Sequence, residues 1–286
     1  MCMQDDCEQY QLNRRTFLGG SAGSLVSLAA SRVGPVSSEH QASPETRILD
    51  SPELRNIERG RVLFKSDGKE IDGYLARPKA AGKCPAVLVL AGNRITEEYI
   101  PNTCAALALA GYVGFTPNNY HAVPDSAKTV AQINKALERW TEDDYMRDCL
   151  EAVMYLGSRP FVDPERIAVL GFCVGGRRAF LTGARSKNIR AVVAFHPGKT
   201  TAEEVAKLKV PVQIHHGTQD RSVSIDASRV LEKAFRRRGT PVELFAYEKA
   251  DHGFLAYTRP QYDPSSAKLA WKRTVEFLDR NLKQKS

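Results

Sequence analysis

The chain has 286 residues, 42% hydrophobic and 26% charged, with a formal net charge of +8 at pH 7. This composition is ordinary for a globular protein, and the length, once a leader is set aside, suits one α/β domain of about 250 residues or two small ones. The basic residues are dispersed, the densest run being Arg236-Arg237-Arg238, and without a basic stripe interleaved with aromatics nucleic acid is not an expected partner.

Residues 13–30 read NRRTFLGGSAGSLVSLAA. Two arginines followed by a weakly apolar, glycine-containing run resemble a twin-arginine export signal. The resemblance implies the twin-arginine export machinery as a partner, passage across the membrane in folded form, and a periplasmic or secreted location. We take 1–36 as this signal segment, with cleavage expected between Ala30 and Ser38. The run from Phe17 to Ala30 is too short and too rich in glycine to span a bilayer, so no stable membrane span is expected after processing. Residues 37–56 are polar and contain proline, as a linker does, and the domain is expected over 57–286.

Val62–Lys65 and Ile71–Arg77 flank Ser66-Asp67-Gly68-Lys69, the pattern of a hairpin. Ala86–Leu90 (AVLVL) is an unbroken apolar run, as in a strand buried on both faces. The apolar period predicts a helix over Tyr99–Ala110 and then a strand over Tyr112–Thr116. Val130–Trp140 and Thr141–Ser158 have helical period, and Pro160 and Pro164 bracket a turn. Arg166–Leu170 (RIAVL) reads as a second buried strand, followed by a helix over Gly175–Gly183. Further strands are expected at Ala191–Phe195, Val212–His215 and Val242–Tyr247, and helices at Ile225–Arg238 and Ser265–Lys283. Two antiparallel strands and then strand–helix alternation predict an α/β fold. Its central sheet is mostly parallel, with helices on both faces and an N-terminal antiparallel hairpin.

The six cysteines are Cys2, Cys7, Cys84, Cys104, Cys149 and Cys173, and none forms a C-x-x-C pair, which argues against a zinc ribbon or thioredoxin-like motif. Cys84, Cys104 and Cys149 read as packing residues. Cys173 differs. It lies in Gly171-Phe172-Cys173-Val174-Gly175, after a buried strand and before a helix, the context of a nucleophile elbow with cysteine in place of serine. Such a turn exposes the sulfur at the C-terminal edge of the sheet. It also aims the Val174 amide and the helix N-terminus at a reacting carbonyl, and that positive end favours thiolate.

An elbow of this kind needs an acid and then a histidine later in the chain. Asp220, in His216-Gly217-Thr218-Gln219-Asp220, follows a strand, and His252, in Asp251-His252-Gly253-Phe254, follows the last one. His252 can take the thiol proton and return it to the leaving oxygen, with Asp220 holding the imidazole tautomer. Asp251 and Asp226 are rival acids. His215 and His216 are adjacent on a strand and point to opposite faces, so no metal site is expected from them. His196-Pro197-Gly198 ends another strand near the site, where His196 can touch substrate.

The segments IDGYLARP (71–78), AGYVGFTPNNY (111–120), RIAVLGFCVGGRRAF (166–180), PVQIHHGTQDRSV (211–223), DHGF (251–254) and AWKRTVEFLDRNL (270–282) together resemble the dienelactone hydrolase, or carboxymethylenebutenolidase, family. The resemblance implies an α/β-hydrolase fold, a Cys-His-Asp triad, hydrolysis of a small ester or lactone, and no cofactor. It implies a second oxyanion-hole amide from the loop Ala91-Gly92-Asn93-Arg94, which we assign to Asn93. Two departures follow from it. The family has a glutamate near position 92 that meets the resting cysteine, where this chain has Gly92, with Glu97 and Glu98 nearby. The prototype's anion-binding arginines are replaced around Tyr120-His121 and after His252, which leaves Arg94, Tyr120, His121 and His196 as candidate substrate contacts, with Arg259 a further cation. Two other readings stay open: a non-catalytic α/β-hydrolase-like binding protein, and a thiol hydrolase of a different acyl substrate.

Overall fold

The computed structural model describes residues 51–283 apart from 81, 93–97 and 124–129. The expected signal segment and the linker up to residue 50 lie outside the described residues. Pro52–Asn56, also expected as linker, instead form a 3-10 turn capped by Ser51, and Leu54 packs against the core.

β1 (Ile57–Ser66) and β2 (Lys69–Pro78) pair antiparallel along their whole length. Asp67 and Gly68 both take positive φ, 51° and 72°, as a two-residue turn requires to match strand twist. Both strands outrun the short apolar segments that announce them. β1 is the edge strand and mostly solvent-facing, so its ladder continues through residues that carry no apolar signal.

The remaining elements alternate. β3 (Cys84–Leu90), α1 (Tyr99–Leu109) and β4 (Val113–Pro117) lead to α2 (Val130–Leu137) and α3 (Glu142–Gly157). Next come β5 (Val162–Phe172), α4 (Val174–Arg185), β6 (Ile189–Phe195) and β7 (Val212–Gly217). α5 (Ile225–Arg237), β8 (Val242–Tyr247) and α6 (Pro264–Leu278) close the chain, with one π turn over Asp279–Lys283. α3 starts where Thr141 and Asp144 form a reciprocal capping box. β5 begins earlier than its apolar run: Val162 pairs with Cys84, and a register shift follows before Ile167 meets Ala86. Pro164, which has no N–H to give a ladder, falls in that irregular stretch, so the expected turn is a strand with a fault in it.

The eight strands lie in the order β1-β2-β4-β3-β5-β6-β7-β8, parallel from β4 onward. Alternate residues of β3 face opposite layers. Val87 and Val89 join the core shared with α1 and α6, while Ala86, Leu88 and Leu90 join the core shared with α3, α4 and α5. An unbroken apolar strand is the direct result of helices on both faces. From β3 the chain crosses to β4 on one side and later to β5 on the other. That reversal opens a crevice beyond the carboxyl ends of β3 and β5, where ligands bind in open α/β sheets.

Candidate active site

Cys173 sits at that crevice. Its φ is 54° and its ψ −120°, a conformation that costs a non-glycine residue about 1–3 kcal/mol and persists only when the surroundings impose it. Here they do. The Cys173 amide donates to the Phe195 carbonyl at 3.0 Å, and the Gly176 and Gly198 amides donate to the Cys173 carbonyl at 2.9 and 2.8 Å. The flanking glycines are dictated by contact. A Cβ on Gly171 would lie 2.0 Å from the Gly175 carbonyl oxygen, and one on Gly175 would lie 2.3 Å from that of Leu90. Val174 is the first residue of α4.

β7 delivers the acid and the loop after β8 delivers the base. Gly217 lets the two chains close together, since a Cβ there would lie 2.2 Å from the Ala250 carbonyl oxygen, and the Gln219 amide donates to that same oxygen at 3.0 Å. The result is an Asp220 Oδ2–His252 Nδ1 hydrogen bond of 2.8 Å. Asp220 Oδ1 accepts from the Ser222 and Val223 amides, each at 2.8 Å. The rivals are engaged elsewhere: Asp251 accepts from the His252 and Arg221 amides, and Asp226 pairs with Arg229 on α5.

Burial opposes ionisation of Asp220, but hydrogen bonds from His216, His252 and Val223 outweigh it and hold the carboxyl well below the usual carboxylate range. Burial likewise opposes protonation of His252. The Asp220 carboxylate and the Cys173 sulfur overcome it and raise the imidazole to about 9. His216 bonds to Ser228 Oγ and the Val223 carbonyl, and its Nε2 also comes within 3.3 Å of Asp220 Oδ2. His215 points the other way, bonded to Tyr247 and Gln213 and stacked on Phe195, and burial drives its pKa down to about 3.

A cavity of about 430 Å³ opens over the elbow, lined by Gly92, Tyr99, Cys173, His196 and His252. Arg221, Ser222, Asp251, Arg259 and Gln261 complete the wall among the described residues. His196 is 2% exposed and takes a φ of 34°, and its ring centre is 4.2 Å from that of His252. Burial and the neighbouring His252 push its pKa well down, so it is neutral. Neither ring nitrogen has a hydrogen-bond partner among the described residues. One ligand atom each of Cys173, His196 and His252 lies within 4.8 Å of the other two.

Two expected substrate contacts are turned away from this cavity. Tyr120 is buried and its hydroxyl donates to the Gly92 carbonyl at 2.8 Å. His121 bonds Asp148 at 2.8 Å and packs edge-on against Trp140. Both follow β4, and the Tyr120 hydroxyl ties that loop to the Gly92 carbonyl. Asn93 and Arg94, like Glu97, lie outside the described residues. Glu98 accepts from the Tyr257 hydroxyl at 2.7 Å. Arg221 and Ser222 were not anticipated as wall residues. Their one signal is position, directly after the Asp220 turn.

The model of the dienelactone hydrolase family matches residues 71–282. The chain belongs to this family. A Salmonella typhimurium protein named "Putative carboxymethylenebutenolidase" is 30% identical over 236 residues, covering 78% of this chain and 87% of that one. A Bradyrhizobium protein named "Probable 2-oxo-3-(5-oxofuran-2-ylidene)propanoate lactonase" is 29% identical over 229 residues, covering 76% and 92%. A solved Klebsiella pneumoniae structure titled "Putative Dienelactone Hydrolase" superposes with a TM-score of 0.72 at 26% identity, over 78% of this chain and 99% of that one. This family member is a hydrolase with an α/β-hydrolase fold. Among its described residues, no helix is long and apolar enough to cross a membrane.

Proposed function

We propose that this dienelactone hydrolase family member cleaves a small ester or lactone through a Cys173 thiolate and an acyl-thioester intermediate, with no cofactor. The observation that carries the reading is the Asp220–His252 hydrogen bond of 2.8 Å, aimed at Cys173 on a strained turn below a cavity. His252 takes the Cys173 proton, and the thiolate adds to the substrate carbonyl carbon. The carbonyl oxygen gains the negative charge and is met by the Val174 amide and by that of Asn93. Collapse breaks the acyl C–O bond, and the leaving oxygen takes its proton from His252. With a lactone, the leaving oxygen stays tethered to the acyl chain. Water, deprotonated by His252, then adds to the thioester and releases the acid and the thiol. His196 and Arg259 on the wall give the substrate polar contacts.

The test is a stopped-flow burst with an activated aryl ester on the reduced full chain, followed by turnover of a dienelactone. A burst near one equivalent per chain, absent from Cys173→Ala and His252→Ala, is the expected result. A folded, reduced protein that turns over neither compound would support the binding-protein reading and make Gly92 the first suspect. Turnover of only other acyl compounds would support a different acyl substrate.

Arg14-Arg15 and the run after them support export by the twin-arginine machinery and a periplasmic or secreted location. Replacing both arginines with lysine should then leave the folded protein in the cytoplasmic fraction. Equal export of both forms would overturn that assignment.

A further inference from the structure

Without substrate, the His196 imidazole has no hydrogen-bond partner among the described residues. A nearly solvent-free imidazole with no hydrogen-bond partner among the described residues leaves two polar atoms unsatisfied, which is costly unless something meets them. Its strained backbone, φ 34°, is held by the His196 amide donating to the His215 carbonyl at 2.7 Å, which sets the ring at this point of the wall. It faces the cavity beside Cys173 and His252.

The geometry points to a binding site for one thiophilic divalent cation, Zn²⁺ in chemical class, held by Cys173 Sγ, His196 and His252 Nε2. Three protein ligands of this type with a fourth position open to a cavity form the arrangement that zinc takes outside closed structural sites. The three ligand atoms lie within 4.8 Å of one another, whereas a tetrahedral site wants separations of about 3.4–3.6 Å, so a shift of about 1 Å closes it. The supporting shell is already present. Asp220 Oδ2 bonds His252 Nδ1, which fixes the tautomer and leaves Nε2 toward the sulfur, as in carboxylate–histidine–zinc arrangements. A sulfur and two imidazoles select Zn²⁺ or another soft or borderline cation over Mg²⁺ and Ca²⁺.

The consequence is reversible inhibition. The cation takes the place of the proton shared between Cys173 and His252, removing nucleophile and base together. The thiol is also shielded from oxidation while the cation is bound. The binding claim shares these side chains with the proposed mechanism but does not depend on hydrolysis.

Binding is read directly by titrating the reduced full chain with Co²⁺ and following the thiolate-to-cobalt charge-transfer band. The signal counted is the part that Cys173→Ser removes, which separates it from the other thiols. Expected are saturation at one Co²⁺ per chain, displacement by Zn²⁺, and at least a tenfold weaker site in both His196→Ala and His196→Asn. Asn tolerates positive φ, so the second variant guards against a folding defect. Loss of ester turnover at one equivalent of Zn²⁺, restored by a chelator, should accompany it. No Cys173-dependent band, or unchanged affinity in a folded His196 variant, overturns the proposal. A band without ester turnover would defeat the hydrolytic reading and leave this one standing, and turnover without a band would do the reverse.

Discussion

Cys149 in α3 and Cys173 after β5 are the same side chain in opposite situations. Cys149 is 1% exposed within the core, and burial pushes its thiol up to about 12. Cys104 in α1 is fully buried, and burial drives its thiol higher still. The helix backbone there sits directly on β4: a Cβ on Gly114 would lie 2.7 Å from the Cys104 carbonyl oxygen, so glycine at 114 lets α1 approach. Cys173 is lifted to a cavity by a turn that any regular conformation would undo, and it faces a protonatable imidazole. Reactivity therefore follows from backbone placement and electrostatic company rather than from residue type.

The largest break in this comparison is chemical. Cys173→Ala should lower kcat/KM for an activated ester by about 10⁴-fold or more, whereas Cys149→Ala should cost stability and leave kcat nearly unchanged. Comparable kinetic losses in both variants would mean that Cys173 is only a packing residue. Next is the turn itself. Gly175→Ala sets a methyl group 2.3 Å from the Leu90 carbonyl oxygen, and a loss of more than about 4 kcal/mol in urea unfolding is expected. An Ala variant as stable as the parent would show that β3 and α4 can part without cost.

A smaller change sharpens the electrostatic half. Asp220→Asn should lower kcat/KM by about 10²–10³-fold while Cys173 remains in place. His252 is raised to about 9, partly by Asp220, and protonated His252 supplies the leaving oxygen's proton. Activity on an alkyl ester should therefore fall as pH rises through about 9, and in Asp220→Asn that limb should move to lower pH. A limb that stays at the same pH would mean that Asp220 does not set the imidazole.

These contrasts divide into what local pattern can carry and what it cannot. The elbow was readable because Gly171 and Gly175 answer to contacts made within one strand–turn–helix unit and with the adjacent strand. The order Cys173, Asp220, His252 was readable because each follows a strand at the same sheet edge, and it is Asp220, not Asp251 or Asp226, that bonds the His252 imidazole. The true length of β1 was hidden because an edge strand need not be apolar. The start of β5 was hidden behind Pro164. The approach of His216 to Asp220 is set by how the loop before α5 folds back over β7, which no spacing encodes. The positive φ of His196 has only a weak residue-type signal, since histidine enters the left-handed region more often than most residues but far less often than glycine.

Tyr120 gives the finest test, because sequence and structure assign it different neighbours. Its amide donates to Asn118 Oδ1 at 3.0 Å, and Asn118 Nδ2 in turn donates to Asp72 Oδ1 at 3.0 Å, so β2 anchors the loop. Its hydroxyl reaches back to the Gly92 carbonyl, holding the segment that leads to the proposed Asn93 amide. Tyr120→Phe deletes that hydrogen bond and little volume, so about 0.5–1.5 kcal/mol of stability should be lost. If the hydroxyl positions the oxyanion segment, kcat should fall about 3- to 10-fold with KM nearly constant, because the lost interaction matters chiefly when charge develops on the carbonyl oxygen. A rise in KM at constant kcat would instead make Tyr120 a direct substrate contact. The cavity wall would then have to include a residue that now lies beneath it.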